Sequence, residues 1–265
     1  MTAIQSDQRQ DMLCKVPEIT LYFWIIKVFA TTVGETAADF LNINLGFGLT
    51  GTSWVMGLLL IGVLAYQMVQ RRYIPWVYWL TVILISIVGT LISDNLTDNI
   101  GVPLWISTVG FSALLGVTFL AWYAREKTLS IHSIFTTRRE LFYWAAILFT
   151  FALGTAGGDF TTESLQLGYL EGVVIFSMLI MMITLAYYAQ LVGAVLAFWV
   201  AYILTRPLGA SIGDLLTQAP KDGGFGLSHA LVNLVFFVCI LGLVGYLTIS
   251  KVDQPAGTTP VAART

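Results

Sequence analysis

Apolar residues dominate the chain in long runs that short polar segments separate. Each run is about 20 residues long, which is the length that an α-helix needs to cross the apolar part of a bilayer. The pattern therefore predicts an all-α, polytopic membrane protein with eight transmembrane helices. The predicted spans are residues 20–41, 52–70, 76–96, 103–124, 141–162, 169–189, 193–216 and 227–249.

The composition supports the same fold class. Of 265 residues, 57% are hydrophobic and 11% are charged, and the mean hydropathy is +0.81. Soluble domains are about 45–50% apolar and about 25% charged. These values argue against a soluble enzyme and a disordered scaffold. A formal net charge of −2 offers no basic surface for nucleic acid. We therefore expect the lipid bilayer as the main surrounding and no nucleic-acid partner.

Positively charged residues mark alternate loops. Lys and Arg precede the first span, separate spans two and three and spans four and five, and follow span eight; Lys221 is the exception. The positive-inside rule then places both termini in the cytoplasm, as expected for a bacterial inner-membrane protein. We predict a cytoplasmic N-terminus at 1–18, one transmembrane domain at 19–250 and a disordered tail at 251–265. All eight Trp residues lie near predicted span ends, which is typical of an interfacial belt.

An internal repeat organises the sequence. An aromatic residue and a Trp recur four times, and each Trp is followed ten residues later by Gly and fifteen residues later by Asp. The Trp spacings of 55, 65 and 55 residues indicate a helical hairpin that was duplicated twice. The predicted repeats are 20–72, 75–124, 140–190 and 193–250. The motif glycines, which we interpret as helix-packing positions, are Gly34, Gly89, Gly154 and Gly209.

Acidic residues recur at one depth of the predicted helices. The motif places Asp39, Asp94, Asp159 and Asp214 about 22 Å from the Trp along the helix. Further side chains lie four residues away, on the same helix face: Glu35, Thr90, Asp98, Thr155 and Glu163. These nine side chains form the predicted ion or substrate site together with Arg206, with the four Asp as metal ligands. The threonines at 97, 162 and 217 are further candidate partners for the carboxylates.

Two interpretations of these acids stay open at this point. They lie only a few residues from the span ends, so they are tolerated either because they reach water or because they line a polar cavity. Acids inside membrane spans usually face the interior and mark ion or proton paths. An acidic ring also concentrates cations. The fourfold repetition at one depth favours the cavity.

Two positive charges also fall inside the spans. Lys27 either extends to the cytoplasmic interface or remains buried. Arg206 lies deeper, next to Pro207, which removes a backbone hydrogen bond and predicts a broken helix that lines a cavity. We predict that Arg206 is either a counter-ion for the acids when the site is empty or part of a purely structural ion pair.

The repeated segments carry a resemblance. The stretches KVPEITLYFWIIKVFATTVGETAADFL, FYWAAILFTFALGTAGGDF and LAFWVAYILTRPLGASIGDLL resemble an uncharacterised group of bacterial polytopic membrane proteins. Those proteins are built from repeated transmembrane hairpins with a Thr/Gly-then-Gly-Asp motif. The resemblance covers residues 15–250, and it implies the fold and a membrane location but no activity. GETAADF and GTAGGDF are also similar to helices of cation exchangers that bind divalent metal.

Three functions are compatible with this sequence. The first is a secondary transporter of a divalent cation such as Mn²⁺ or Ca²⁺, because oxygen ligands suit hard ions and no ATP-binding motif is present; protons would be the coupling ion. The second is a non-transporting sensor or assembly protein with a structural polar network. The third is an intramembrane enzyme, although no nucleophile with a base is visible. We expect no enzymatic activity and no cofactor; a homo-oligomer is compatible with the sequence.

Overall fold

A computed structural model describes residues 14–254, apart from the side chain of Glu163. Within these residues the chain is all-helical, and no strand is present. The α-helices are α1 (Leu21–Asp39), α2 (Gly48–Val69), α3 (Pro75–Asp94), α4 (Leu104–Glu126), α5 (Thr137–Asp159), α6 (Tyr169–Tyr188), α7 (Ala194–Thr217) and α8 (His229–Ser250). Each lies within a few residues of a predicted span.

Seven helices of this described part, α2 to α8, are long and apolar enough to cross a membrane. The protein is therefore a multi-pass membrane protein by the length and composition of its helices. The remaining helix, α1, carries Lys27 and Glu35 in its middle, which lowers its hydropathy. Both charged side chains belong to the candidate site that is described below.

The odd-numbered helices form an inner ring. Helix α1 packs against α3 and α7, and α5 packs against the same two helices, so that α1, α3, α5 and α7 surround one axis. The even-numbered helices lie outside this ring. Their side chains are largely exposed, whereas most residues of α3 are buried. In a membrane, the outer helices would present these apolar side chains to lipid.

The two helices of one predicted hairpin are not each other's main partners. Helix α2 packs mainly on α3, α4 packs on α5, and α6 packs on α7, so that each outer helix covers the inner helix of the next repeat. Helix α8 closes the series by packing on α1. The two helices of one sequence repeat are therefore not a packed pair. Each packed pair consists of the outer helix of one repeat and the inner helix of the next.

Both described ends of the chain meet at one end of the bundle, which we call the terminal face. There Lys15 is fully buried, and its ammonium group donates to the carboxylate of Glu140 at 2.7 Å and to the carbonyl of Met68 at 2.9 Å. The Asp253 carboxylate accepts a hydrogen bond from the Tyr73 hydroxyl at 2.5 Å. The sequence predicts a disordered tail from residue 251, but the structure places Asp253 in this contact, where it is 1% exposed. Residues 1–13 and 255–265 lie outside the described part.

Several tryptophans do not form the interfacial belt that their positions predict. Trp79, Trp122, Trp144 and Trp199 are at most 4% exposed. The Trp122 and Trp199 rings, for example, contact each other with centroids 5.9 Å apart. Trp54, Trp76 and Trp105 are at least half exposed, as the prediction requires. Position near a helix end does not reveal whether a side chain points towards lipid or towards the bundle, and four of the rings pack inside.

Candidate functional site: a layered polar axis

The axis of the inner ring consists of five layers, because each inner helix contributes one residue every four positions. Residues four apart lie on one helix face, and successive layers are about 6 Å apart along the helix. Counting back from the motif Asp, these are the aspartate layer (Asp39, Asp94, Asp159, Asp214), the glutamate layer (Glu35, Thr90, Thr155, Ala210), the arginine layer (Thr31, Ser86, Phe151, Arg206), the lysine layer (Lys27, Val82, Ile147, Tyr202) and the aromatic layer (Phe23, Tyr78, Tyr143, Phe198).

Exposure changes steadily along this axis. All members of the arginine and lysine layers are completely buried, and the aromatic layer next to the terminal face is at most 6% exposed. In the aspartate layer, by contrast, the Asp39 side chain is 20% exposed, and Asp94 and Asp159 are partly exposed. The axis is thus accessible at the aspartate layer and closed at the aromatic layer.

The aromatic layer closes the axis by ring packing and one hydrogen bond. The Phe23 and Phe198 rings lie with centroids 6.1 Å apart. The hydroxyl groups of Tyr78 and Tyr143 are hydrogen-bonded at 2.5 Å. Burial of four large rings at one level stabilises the bundle. The aromatic residues that precede the motif Trp residues are therefore packed together across the axis next to the terminal face.

Arg206 joins all four inner helices at the centre of the axis. Its Nη2 atom donates to the Glu35 carboxylate of α1 at 2.7 Å and to the Thr155 hydroxyl of α5 at 2.7 Å. The same nitrogen donates to the Thr90 hydroxyl of α3. These three acceptors occupy equivalent positions of three repeats, four residues before the motif Asp. The sequence suggested Arg206 as a counter-ion, and the structure pairs it with Glu35.

The motif glycines allow the inner helices to approach one another closely. A methyl group on Gly89 would lie 2.7 Å from the Phe151 side chain and 3.2 Å from the backbone of α5. On Gly209 it would lie 2.9 Å from the backbone of α1. Gly34 and Gly154 meet Ser86 and Arg206 in the same way. Each motif glycine faces a residue of the arginine layer on a neighbouring inner helix. The same close helix crossing therefore occurs four times around the ring.

The acids of α1 and α3 lie close enough to influence one another. The carboxyl groups of Glu35, Asp39 and Asp98 all interact electrostatically with that of Asp94, and the Arg206 charge opposes them. His229, at the start of α8, lies 3.5 Å from the Asp39 carboxylate. Asp159 on α5 and Asp214 on α7 belong to the same layer, and each of them takes part in an interaction of its own. The side chain of Glu163 lies outside the described part.

The described side chains do not form a preformed metal site. Among the side chains that the structure describes, no three of His, Cys, Asp and Glu are arranged so that they could hold a metal ion. The role of the four Asp residues as joint metal ligands remains a prediction.

Two details of the predicted site differ from the structure. The hydroxyls of Thr97, Thr162 and Thr217 donate to backbone carbonyls of their own helices instead of to carboxylates. Helix α7 also continues through Pro207 without a break. Helix α5 packs next to Pro207, since a methyl group on Gly158 would lie 3.4 Å from the proline ring.

A feature that the sequence did not reveal is a π-helical turn directly after three of the motif Asp residues. These turns cover Phe40–Asn44, Asn95–Asn99 and Phe160–Ser164, whereas α7 ends without one. Such turns are rare in proteins, and those that do occur are often found at functional sites. They place irregular backbone next to the aspartate layer, at the accessible end of the axis.

Comparison with known families finds a repeat that matches this architecture. The model of a family described as "Repeat of Unknown Function (DUF347)" matches the chain four times, at residues 22–73, 77–128, 142–191 and 197–253. These four matches confirm that the chain is built from internal repeats, and each match includes one inner helix and the outer helix that follows it in sequence. No curated protein and no solved structure matches the chain. The chain therefore belongs to the DUF347 repeat family.

Proposed function

We propose that this protein is a secondary transporter that moves a divalent cation such as Mn²⁺ or Ca²⁺ across a membrane in exchange for protons. The polar axis of the inner ring would be the transport path. Glu35 and the four Asp of the aspartate layer would bind the ion or carry protons, and Thr90 and Thr155 would supply further oxygen ligands. Hard cations of this kind prefer carboxylate and hydroxyl oxygens.

The observation that carries this proposal is a cluster of four acidic side chains next to Arg206. Asp94 interacts electrostatically with Glu35, Asp39 and Asp98, and the Arg206 guanidinium is hydrogen-bonded to Glu35. A single guanidinium does not pair with all four carboxyl groups. A cation that enters from the aspartate layer would therefore be attracted, and it would compete with Arg206 for the Glu35 carboxylate, which now accepts a bond of 2.7 Å.

The membrane orientation belongs to the same proposal. We infer that all eight helices span the inner membrane of a bacterium, with α1 held in place by its burial among α3, α7 and α8. Both termini would then be cytoplasmic, because Lys and Arg are concentrated at the terminal face. The aspartate layer would face the outside, and the aromatic layer would separate the site from the cytoplasm. Transport would require the rings of that layer to separate.

The test is ion flux into liposomes that contain the purified protein. With Mn²⁺ outside and a fluorescent Mn²⁺ indicator inside, an opposing proton gradient should accelerate uptake. The Asp39→Asn and Asp94→Asn variants should reduce the initial rate by at least about tenfold, since each removes a charge that attracts the ion. Asp222→Asn is the matched control, because Asp222 is an exposed loop residue after α7. Flux that is the same in all variants and in empty liposomes would refute the proposal.

One observation favours a second candidate, a non-transporting sensor or assembly protein. The three layers from aromatic to arginine are completely or almost completely buried, as expected for a polar network that only fixes the packing of helices. In that case the Asp variants would change the thermal stability of the protein, and no ion or solute would cross the liposome membrane.

A further inference from the structure

A short non-helical segment lies buried at the terminal face, just before α1. It consists of residues 14–17, which we call the strap, and all four of these residues are buried. Lys15 and Val16 are at most 3% exposed, although neither belongs to a helix. A buried segment that lacks the hydrogen bonds of a helix must be held by other contacts.

The strap lies next to the aromatic layer that closes the axis. The Cys14 thiol interacts electrostatically with the hydroxyls of Tyr78 and Tyr143, and these two hydroxyls are hydrogen-bonded to each other. Cys14 and Val16 also belong to the same buried apolar cluster as Phe23 of the aromatic layer. An axis that opened at the aromatic layer would therefore open onto the strap.

Lys15 joins the strap to two helices of the bundle. Its ammonium group donates to the Glu140 carboxylate in the first turn of α5 at 2.7 Å and to the Met68 carbonyl near the end of α2 at 2.9 Å. The same carboxylate accepts a hydrogen bond from the indole of Trp144 at 3.4 Å. Trp144 directly follows Tyr143 in the chain. Glu140 therefore connects the strap with the helix turn that carries part of the aromatic layer.

The contacts of the strap can be broken without breaking a helix. Among the described residues, no backbone-to-backbone hydrogen bond involves residues 14–17, and the first such bond nearby joins Glu18 to Asp253 at 3.0 Å. A buried ion pair contributes little net stability, because both charges lose their hydration. Lys15 and Glu140 would regain that hydration on separation. Release of the strap is thus less costly than the burial of its side chains suggests.

We propose that residues 14–17 are a gate that keeps the terminal end of the axis closed, and that separation of Lys15 from Glu140 opens it. Release removes the contacts of the strap next to Tyr78 and Tyr143. The rings of the aromatic layer then separate, and water enters the axis from the terminal face. This inference goes beyond the proposed function and rests on it only in treating the axis as a path.

The test measures whether a water-soluble reagent passes the aromatic layer. Val82→Cys places a reporter thiol in the lysine layer, where the native side chain is completely buried, and both native cysteines are replaced by serine. A charged methanethiosulfonate reagent then modifies the thiol when water reaches it. The combined Lys15→Met and Glu140→Gln variant should accelerate this modification at least about tenfold. Arg72→Gln changes an exposed residue next to Tyr73 and is the control that should leave the rate as it is.

A second reporter separates gate opening from a general loosening of the bundle. Ser93→Cys is equally buried but lies beside the aspartate layer, at the opposite end of the axis. The combined variant should leave its rate of modification unchanged. Acceleration at both reporters, or at neither, would overturn the inference. If the combined variant does not fold, Lys15→Gln provides the same comparison, and Lys15→Arg, which keeps the charge, should behave as the wild type does.

Ion flux separates this inference from the proposed function. In liposomes, the combined Lys15→Met and Glu140→Gln variant should raise the initial rate of Mn²⁺ uptake at least about threefold, because the strap no longer opposes separation of the rings. If the wild type carries no Mn²⁺, the proposed function is wrong, and the two reporters still decide whether the strap closes the axis. Equal Mn²⁺ uptake by both proteins, with no acceleration at Val82→Cys, would refute the gate and leave transport standing.

Discussion

The carboxylate of Glu35 and the guanidinium of Arg206 are joined at 2.7 Å, although 171 positions separate them in the chain. The pair connects α1 with α7, the first and the last helix of the inner ring. Both side chains are at most 9% exposed. The pair therefore closes the ring at the level where its core is most polar, and its energetics affect both folding and the site.

Removal of one partner of this pair should be more damaging than removal of both. Glu35→Gln removes the carboxylate that is hydrogen-bonded to the buried Arg206 guanidinium, and removal of one partner costs about 3–5 kcal/mol in comparable buried pairs. The combined Glu35→Gln and Arg206→Met variant removes the guanidinium as well and should recover part of the loss. Thermal unfolding in detergent measures the effect. Equal midpoints for the wild type and Glu35→Gln would show that the pair contributes nothing.

The helix crossings predict a position-specific effect of glycine substitution. Gly209→Ala should destabilise the protein by about 1–3 kcal/mol, because the new methyl group would lie 2.9 Å from the backbone of α1. Gly242→Ala on α8 is the control, since nothing lies within 4 Å of its added methyl group. That variant should be as stable as the wild type or slightly more so, given the higher helix propensity of Ala. Similar losses for both variants would contradict the close crossing.

The hydroxyl pair of the aromatic layer should behave as a unit. Tyr78→Phe and Tyr143→Phe each leave one buried hydroxyl without its partner, which costs about 1–3 kcal/mol. The double variant removes both hydroxyls and should be no less stable than either single variant. Phe occupies the same position in the first and fourth repeats, so the ring itself fits. Additive losses in a double-mutant cycle would show that the two hydroxyls do not interact.

The terminal face predicts a pH dependence of stability. Burial raises the pKa of the Asp253 carboxyl, and the hydrogen bond from Tyr73 opposes this effect only in part. A carboxyl whose pKa is raised on folding binds more protons in the folded state, so stability falls as the pH rises from the unfolded pKa through the folded one. Asp253→Asn should remove this slope. Unfolding midpoints of both proteins between about pH 4 and pH 7 test it, and parallel curves would exclude Asp253 as the source.

The same face should protect Cys14 from modification. This thiol is 6% exposed, and burial raises its pKa, so little reactive thiolate is present near neutral pH. In a Cys239→Ser background, Lys15→Met should accelerate labelling of Cys14 by a maleimide at least about tenfold, because the neighbouring residue loses its bonds to Glu140 and Met68. Lys221→Met, which changes an exposed loop, should leave the rate as it is.

The sequence was sufficient for the helices and the repeats, because both depend on local periodicity. The helix boundaries follow the apolar runs, and the four family matches coincide with the aromatic–Trp, Gly and Asp pattern. The five layers were also present in the spacing of four residues, from Phe23 through Lys27, Thr31 and Glu35 to Asp39. They could not be assigned to an axis without knowing which face of each helix points inward.

What the sequence could not determine depends on contacts between repeats. Trp79 and Trp144 have the spacing of interfacial residues, yet neighbouring helices cover them. Thr217 lies three residues after an Asp, which suggested a bond between them, but a helical threonine reaches its own backbone more easily. The packing of α2 on α3 instead of α1 leaves no trace in a hydropathy pattern, because both alternatives bury the same kind of surface.

Each outer helix packs on the inner helix of the next repeat, and α8 of the last repeat packs on α1 of the first. The four repeats therefore form a closed cycle. Helix α8 covers α1 just as α2 covers α3, and the backbones of Glu18 and Asp253 are hydrogen-bonded at 3.0 Å. A chain that was joined between these two residues and opened between α4 and α5 would keep every inner helix with its outer cover. Half of the chain, in contrast, would leave one inner helix uncovered. A two-repeat fragment that kept this packing would need a second copy, because its last outer helix packs on an inner helix that lies outside the fragment.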